Sequence, residues 1–139
     1  MRVFTITKKD KQQCFQLGVG KRDKTVAVSG HRPETIVGKE ARIIVELRKA
    51  IEKAIEDGYT IFLSGMSRGV DLWAADIVIE LRRYNKDLKL VCVIPFEGFE
   101  KNWSVEWIKH YRLIKKQADY VHTCSSFLSG NEYQIRTNG

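Results

Sequence analysis

Ile61-Phe62-Leu63-Ser64-Gly65-Met66-Ser67-Arg68-Gly69-Val70-Asp71-Leu72-Trp73 decides the fold. The apolar start reads as a buried strand, Ser64 to Gly69 as a tight turn, and Val70 onward as the first turn of a helix. Such a junction points backbone N–H groups and the positive end of a helix dipole at one spot. Gly65 and Gly69 remove side chains where a ligand could meet the backbone, and they allow φ > 0. The spacing is not GxGxxG, and no GK[ST] follows as in a P-loop. The plain alternative is a strand-to-helix turn with no ligand.

Upstream, Thr25-Val26-Ala27-Val28-Ser29 is a strand that stops at Gly30-His31-Arg32-Pro33. Pro33 disfavours the α region at Arg32, which leaves His31 and Arg32 on a loop at the strand's carboxyl end. Between the two strands, Lys39 to Glu56 is helical. Ile44, Leu47, Ile51 and Ala54 form its apolar stripe, and Gly58 is a suitable stop. Downstream, a helix runs from Val70 to Tyr84. Trp73, Ala74, Ile77, Val78 and Leu81 predict the most buried helix of the chain. Leu88 to Pro95 is a third strand, and its continuous run Leu90–Ile94 predicts burial on both faces. It ends in a loop, Pro95-Phe96-Glu97-Gly98. A last helix covers Ser104 to Gln117 with Trp107, Tyr111 and Ile114 inward. Tyr120 to Cys124 is a fourth strand, and 125–139 is polar and loop-like.

Alternating strands and helices predict an α/β fold, three-layer and Rossmann-like, with a mainly parallel sheet of about four strands. Right-handed crossovers put every strand's carboxyl end on one edge, where open α/β sheets bind ligands. The loops Gly30–Pro33, Ser64–Gly69 and Pro95–Gly98 gather there.

Residues 1–24 form a separate basic segment. Strand-like content at Val3–Thr7 and Cys14–Leu17, with a turn at Lys8–Lys11, suits a short hairpin. Gly18–Lys24 reads as a linker. The segment carries seven Lys/Arg against two Asp, so +5 of the chain's net +7 lies in it. This charge offers a weak nucleic-acid contact, although a solvated arm is the simpler reading without interleaved aromatics. The odd and widely spaced Cys14, Cys92 and Cys124 suggest neither disulfides nor a zinc site. No cofactor or metal is expected. No apolar run reaches the roughly 20 residues of a membrane span, and the N-terminus is too polar for a signal peptide, so a cytoplasmic location without membrane contact is expected.

The four motifs together resemble the SLOG superfamily, the Rossmann-like group that includes LOG and DprA, and within it the YpsA-like branch of bacterial and phage proteins. The resemblance rests on Ser29-Gly30-His31-Arg32-Pro33, on Ser64 to Asp76, on Ile94-Pro95-Phe96-Glu97-Gly98 with Trp103, and on Ala118-Asp119-Tyr120-Val121. It covers about 25–138. Ser67 and Arg68 depart from the small residue and Leu usual there. The resemblance implies a SLOG-like domain over 25–139 that lacks the usual last strand and helix, as a truncated product would. Its exposed strand edge offers a route to a homodimer, or is covered by the 1–24 hairpin.

The implied ligand is a nucleotide or nucleotide-derived small molecule, held for sensing or sequestration. Alternatives are LOG-like hydrolysis of a nucleotide's N-glycosidic bond and DprA-like binding of single-stranded DNA. The glycine-rich catalytic signature of LOG enzymes is absent. Candidate ligand contacts are Gly30, His31, Arg32, Ser64, Gly65, Met66, Ser67, Arg68, Gly69, Asp71, Glu97 and Arg136. Arg68 suits an anion clamp, or faces solvent. Asp71 suits a ribose hydroxyl, or simply complements the helix dipole. Glu97 is the first candidate general acid/base, with Asp71 as the alternative for hydrolysis. Trp73, Trp103 and Trp107 fit core or rim packing better than base stacking.

Overall fold

The computed structural model describes 2–4, 15–19 and 24–124, the first two stretches as backbone only. The strands are β1 (Arg2–Phe4), β2 (Phe15–Val19), β3 (Thr25–Gly30), β4 (Ile61–Ser64), β5 (Lys89–Ile94) and β6 (Tyr120–Thr123). The helices are α1 (Glu40–Glu56), α2 (Val70–Arg82) and α3 (Val105–Gln117). A single 3-10 turn, Pro33–Thr35, precedes α1.

One sheet contains all six strands in sequence order. β3 to β6 are parallel, and each of the three gaps between them is bridged by a helix. This is the predicted α/β arrangement. β1 pairs antiparallel with β2, and β2 pairs antiparallel with β3. Gly18 and Val19, read as linker, therefore belong to β2. The turn expected at Lys8–Lys11 lies outside the described residues.

Successive right-handed crossovers between sequential neighbours place all three helices on one face. Accordingly α2 packs between α1 and α3 and touches β3, β4 and β5. Its inward side is Val70, Leu72, Ala74, Ala75, Ile77 and Val78, all buried. The alanines let the helix approach the sheet closely. In α1 the buried stripe is Ile43, Leu47, Ala50, Ile51 and Ala54, with Ile44 at its flank. Fully burying a residue such as Leu47 contributes about 2 kcal/mol.

Burial alternates along the strands. Val26, Val28, Phe62, Leu90, Cys92 and Ile94 are buried beneath the helices, while Ala27, Leu63, Val91 and Val93 are half-buried on the other face. The continuous run Leu90–Ile94 is thus covered on one face only among the described residues. Two layers, helices and sheet, account for 24–124; a third has no described counterpart. The register aligns Val28, Ser64, Cys92 and Val121 across the sheet, so the carboxyl ends of β3 to β6 share one edge. No helix among the described residues is long and apolar enough to cross a membrane.

Candidate functional site

The crevice between the carboxyl ends of β3 and β4 is built from Ser64. Its hydroxyl donates to the Asp71 carbonyl at 3.0 Å and accepts from the Met66 N–H at 3.1 Å. One buried side chain therefore ties the turn after β4 to the first turn of α2. Met66 adopts φ 67°, a left-handed conformation that costs a residue with a side chain about 1–2 kcal/mol. Its complete burial in the core offsets that cost.

Both glycines serve internal contacts. Gly69 has φ 92°, and a Cβ there would stand 2.7 Å from the His31 carbonyl oxygen and 3.1 Å from Pro33. The loop after β3 is laid directly on the start of α2, where the Val70 N–H donates to the His31 carbonyl at 3.3 Å. At Gly65 a Cβ would lie 3.1 Å from Asp71 Oδ2. One glycine admits a loop, and the other admits a carboxylate.

Asp71 is the buried charge of the crevice, 7% exposed. The Ser67 N–H donates to its Oδ2 at 3.3 Å. Its Oδ1 is buried without a hydrogen-bond partner of acceptable geometry. Burial pushes the carboxyl from an ordinary 3.8 up to about 6, opposed by the amides of Ser67 and Gly30 and by the charge of Arg32. Removing a carboxylate from water disfavours its ionised form, and here that effect exceeds the three that favour it.

Arg68 spans the mouth of the crevice. Its guanidinium bonds both carboxylate oxygens of Glu34, Nη1 to Oε2 and Nη2 to Oε1. Its Cζ also lies 5.9 Å from the centroid of the Trp103 ring. The Glu34 carboxyl is held below its usual range, chiefly by Arg68. The expected anion clamp is therefore already engaged with an anion of its own chain. His31 and Arg32 are exposed beside it.

Glu97 lies elsewhere. It lines a cleft of about 360 Å³ with Ile94, Glu100, Tyr111, Arg112 and Lys115, and no residue of Gly30–Arg32 or Ser64–Asp71 lines that cleft. Arg112 Nη2 donates to the nearly buried Glu100 at 3.3 Å. Edge-to-face contacts Phe96–Phe99, Phe99–Trp103 and Trp103–Tyr111, with centroids 5.3–5.4 Å apart, form a wall between the two places. Trp103 meets Arg68 on one side of this wall, and Tyr111 floors the second cleft on the other. Trp73 and Trp107 pack against each other at 6.4 Å on the rim of the core.

The structure thus unites Gly30, Ser64, Gly65, Ser67, Gly69 and Asp71, and it separates Glu97 from them. Arg136 lies outside the described residues. Sequence reading overlooked Glu34, whose partner is 34 residues away and leaves no local signal. It also overlooked Tyr111, Arg112 and Lys115 as a cleft wall. Their spacing with Ile108 at i, i+3, i+4 and i+7 marks one helix face and was available to find them. Burial pushes the Cys92 thiol up to about 12, which leaves it inert. Among the described residues, no group of three or more His, Cys, Asp or Glu could hold a metal ion.

A family model described as "YspA SLOG family" matches residues 26–138. The chain belongs to the YpsA family of SLOG proteins. A UPF0398 protein of Bacillus cereus is 36% identical over 104 residues, 70% of this chain and 56% of the relative. One from Bacillus thuringiensis strain Al Hakam is 35% identical over the same shares. The chain spans little more than half the length of these curated relatives.

Proposed function

We propose that this YpsA-family chain binds a nucleotide or nucleotide-derived small molecule at the carboxyl edge of its sheet, in order to sense or sequester it. The observation that carries the reading is Asp71. A carboxylate is buried between the ends of β3 and β4 with one oxygen unpartnered. An unmet buried acceptor costs about 1–3 kcal/mol, so its persistence calls for a use. Open α/β sheets take ligands outside the carboxyl ends of their strands, which is where this carboxylate lies. Membership of the SLOG group suggests a nucleotide-related role.

Thermal-shift measurements on the full chain against nucleosides, nucleotides and cyclic nucleotides test this reading. Ligand at 100 times its Kd stabilises by about 2.7 kcal/mol, which raises the melting point measurably. Asp71→Ala should lose the shift and Glu97→Gln should keep it. No shift with any compound would sink the reading, and a shift lost only in Glu97→Gln would move the site to the second cleft.

A second reading is N-glycosidic hydrolysis. A carboxyl titrating near 6 suits a general acid. Asp71, rather than Glu97, would protonate the departing base while water adds at the anomeric carbon. Free base released from nucleoside 5′-monophosphates, and not released by Asp71→Asn, would establish it. Binding without release would exclude it. The DNA-binding alternative relies on 1–24, whose side chains before Lys24 lie outside the described residues, and on Arg68, whose charge Glu34 already meets.

A further inference from the structure

We infer that the crevice grips its ligand through a hydroxyl hydrogen bonded to Asp71 Oδ1, a sugar hydroxyl, and not through a phosphate seated on the start of α2. The inference rests on the binding reading above and specifies which end of the ligand enters.

A phosphate at a helix start is held by free N–H groups. Three N–H groups around the turn are already engaged. The Met66 N–H is bound to Ser64 Oγ, the Ser67 N–H to Asp71 Oδ2 and the Val70 N–H to the His31 carbonyl. The His31 carbonyl oxygen also occupies the space where a Gly69 side chain would project. The Arg68 guanidinium is committed to Glu34. An incoming phosphate would therefore meet a carbonyl oxygen and two carboxylates. Each acceptor that satisfies the helix start repels a second anion.

A hydroxyl fits the same place. An ionised carboxylate only accepts; Asp71 Oδ2 takes the Ser67 N–H, the Gly30 amide favours the charged form, and Oδ1 still makes no well-formed hydrogen bond. A ligand O–H supplies the missing donor and adds no charge. The neighbouring Gly30 and Gly65 bring backbone, not side chains, to this carboxylate, so a sugar edge can enter between them. Oδ1 has almost no exposed surface, so a ligand reaches it only when a neighbouring loop moves, and we take the Ser67–Arg68 turn as the one that lifts. The turn is half-buried, and the side chains that hold it down are Glu34 and Trp103. A phosphate elsewhere on the ligand stays outside the crevice, near the exposed His31 and Arg32.

The experiment compares four sets of probes on the full chain by calorimetry. These are the common ribonucleosides, their 2′- and 3′-deoxy counterparts, their 5′-monophosphates, and inorganic phosphate. The expected result is that a ribonucleoside binds, its 5′-monophosphate binds within about threefold of it, and one deoxy form loses about tenfold or more. Inorganic phosphate at millimolar concentration should neither bind nor compete. Asp71→Asn should shrink the ribo/deoxy ratio toward one. The deoxy comparison uses the unaltered chain, so it stands even where that variant folds poorly. Equal affinity for ribo and both deoxy forms, or competition by inorganic phosphate, overturns this inference and leaves the binding reading intact. If no nucleoside or nucleotide binds at all, both fall.

Discussion

Asp71 and Glu97 both stand just beyond the carboxyl end of a parallel strand, yet they occupy opposite surroundings. Asp71 is enclosed by backbone from two loops, with its charge partly suppressed and one oxygen idle. Glu97 is exposed on the wall of an open cleft that mixes Glu100 with Lys101, Arg112 and Lys115. Solvent screens the second group, so it can change partners at little cost. The first cannot. The aromatic wall from Phe96 to Tyr111 keeps the two apart. Sharing a sheet edge is therefore not sharing a site, and on the reading proposed above the enclosed carboxylate is the one that takes the ligand.

The largest expected effect comes from breaking the enclosure. Gly69→Ala places a methyl group 2.7 Å from the His31 oxygen in a backbone region that side chains avoid. Strain of about 1–3 kcal/mol, plus the weakened bond from Val70, should remove about 3 kcal/mol and lower the melting point by about 10 °C. Gly98→Ala is the control from the open cleft. Its φ is 80° but, among the described residues beyond its chain neighbours, no atom lies within 4 Å of an added Cβ, so the loss should be about 1 kcal/mol. Urea melts of both variants decide the matter. Equal losses would mean that the loop after β3 is not pressed on α2.

Next comes the charge inside the enclosure. Below pH 3.8 Asp71 is protonated in the folded and unfolded chain alike, and its contribution to stability is fully present. As pH rises the unfolded chain ionises first, and stability is lost until the folded carboxyl ionises near 6. The whole loss is on the order of 3 kcal/mol. Asp71→Asn does not titrate. The stability of the variant relative to the natural chain should therefore climb by that amount between pH 4 and pH 7, read from urea melts at each pH. A constant difference would show that Asp71 ionises freely.

Sequence pattern made the four parallel strands and three helices legible almost to the residue. Leu88–Pro95 was expected where Lys89–Ile94 forms, and Ser104 caps α3 with a side-chain bond to the Trp107 N–H. Periodicity is a local signal and survives without knowledge of neighbours. In α1, Leu47, Ile51 and Ala54 are buried as expected, and only the first position differs, since Ile43 and Ile44 are both apolar and only the sheet decides between them. Among the described residues only one face of β5 is covered by helices, and unbroken apolar sequence cannot report which face that is. At the site, Gly65, Gly69 and Asp71 were legible as special residues but not as each other's reason. A glycine that makes room for a carbonyl 38 positions earlier looks the same in sequence as one that makes room for phosphate.

Arg68→Leu sharpens the comparison with the smallest effect on the fold. Arg68 lies between the two places, bonded to Glu34 beside the crevice and set over Trp103 in the wall. Glu34 is largely exposed, and ion pairs of that kind add little to stability. Leucine keeps apolar contact with the Trp103 ring, which makes up part of what the guanidinium stem provided. The melting point should therefore move by no more than about 2–3 °C. Binding gives the sharper reading. If Arg68 clamps a phosphate, the variant loses affinity for nucleoside 5′-monophosphates and keeps it for nucleosides. If it holds the turn closed over Asp71, the variant binds both equally well or better, and association quickens because the turn lifts more readily. Calorimetry gives the affinities and stopped-flow fluorescence of Trp103 and its neighbours gives the rate. A loss confined to the monophosphates would return the phosphate to the crevice and overturn the assignment of Asp71 to a hydroxyl.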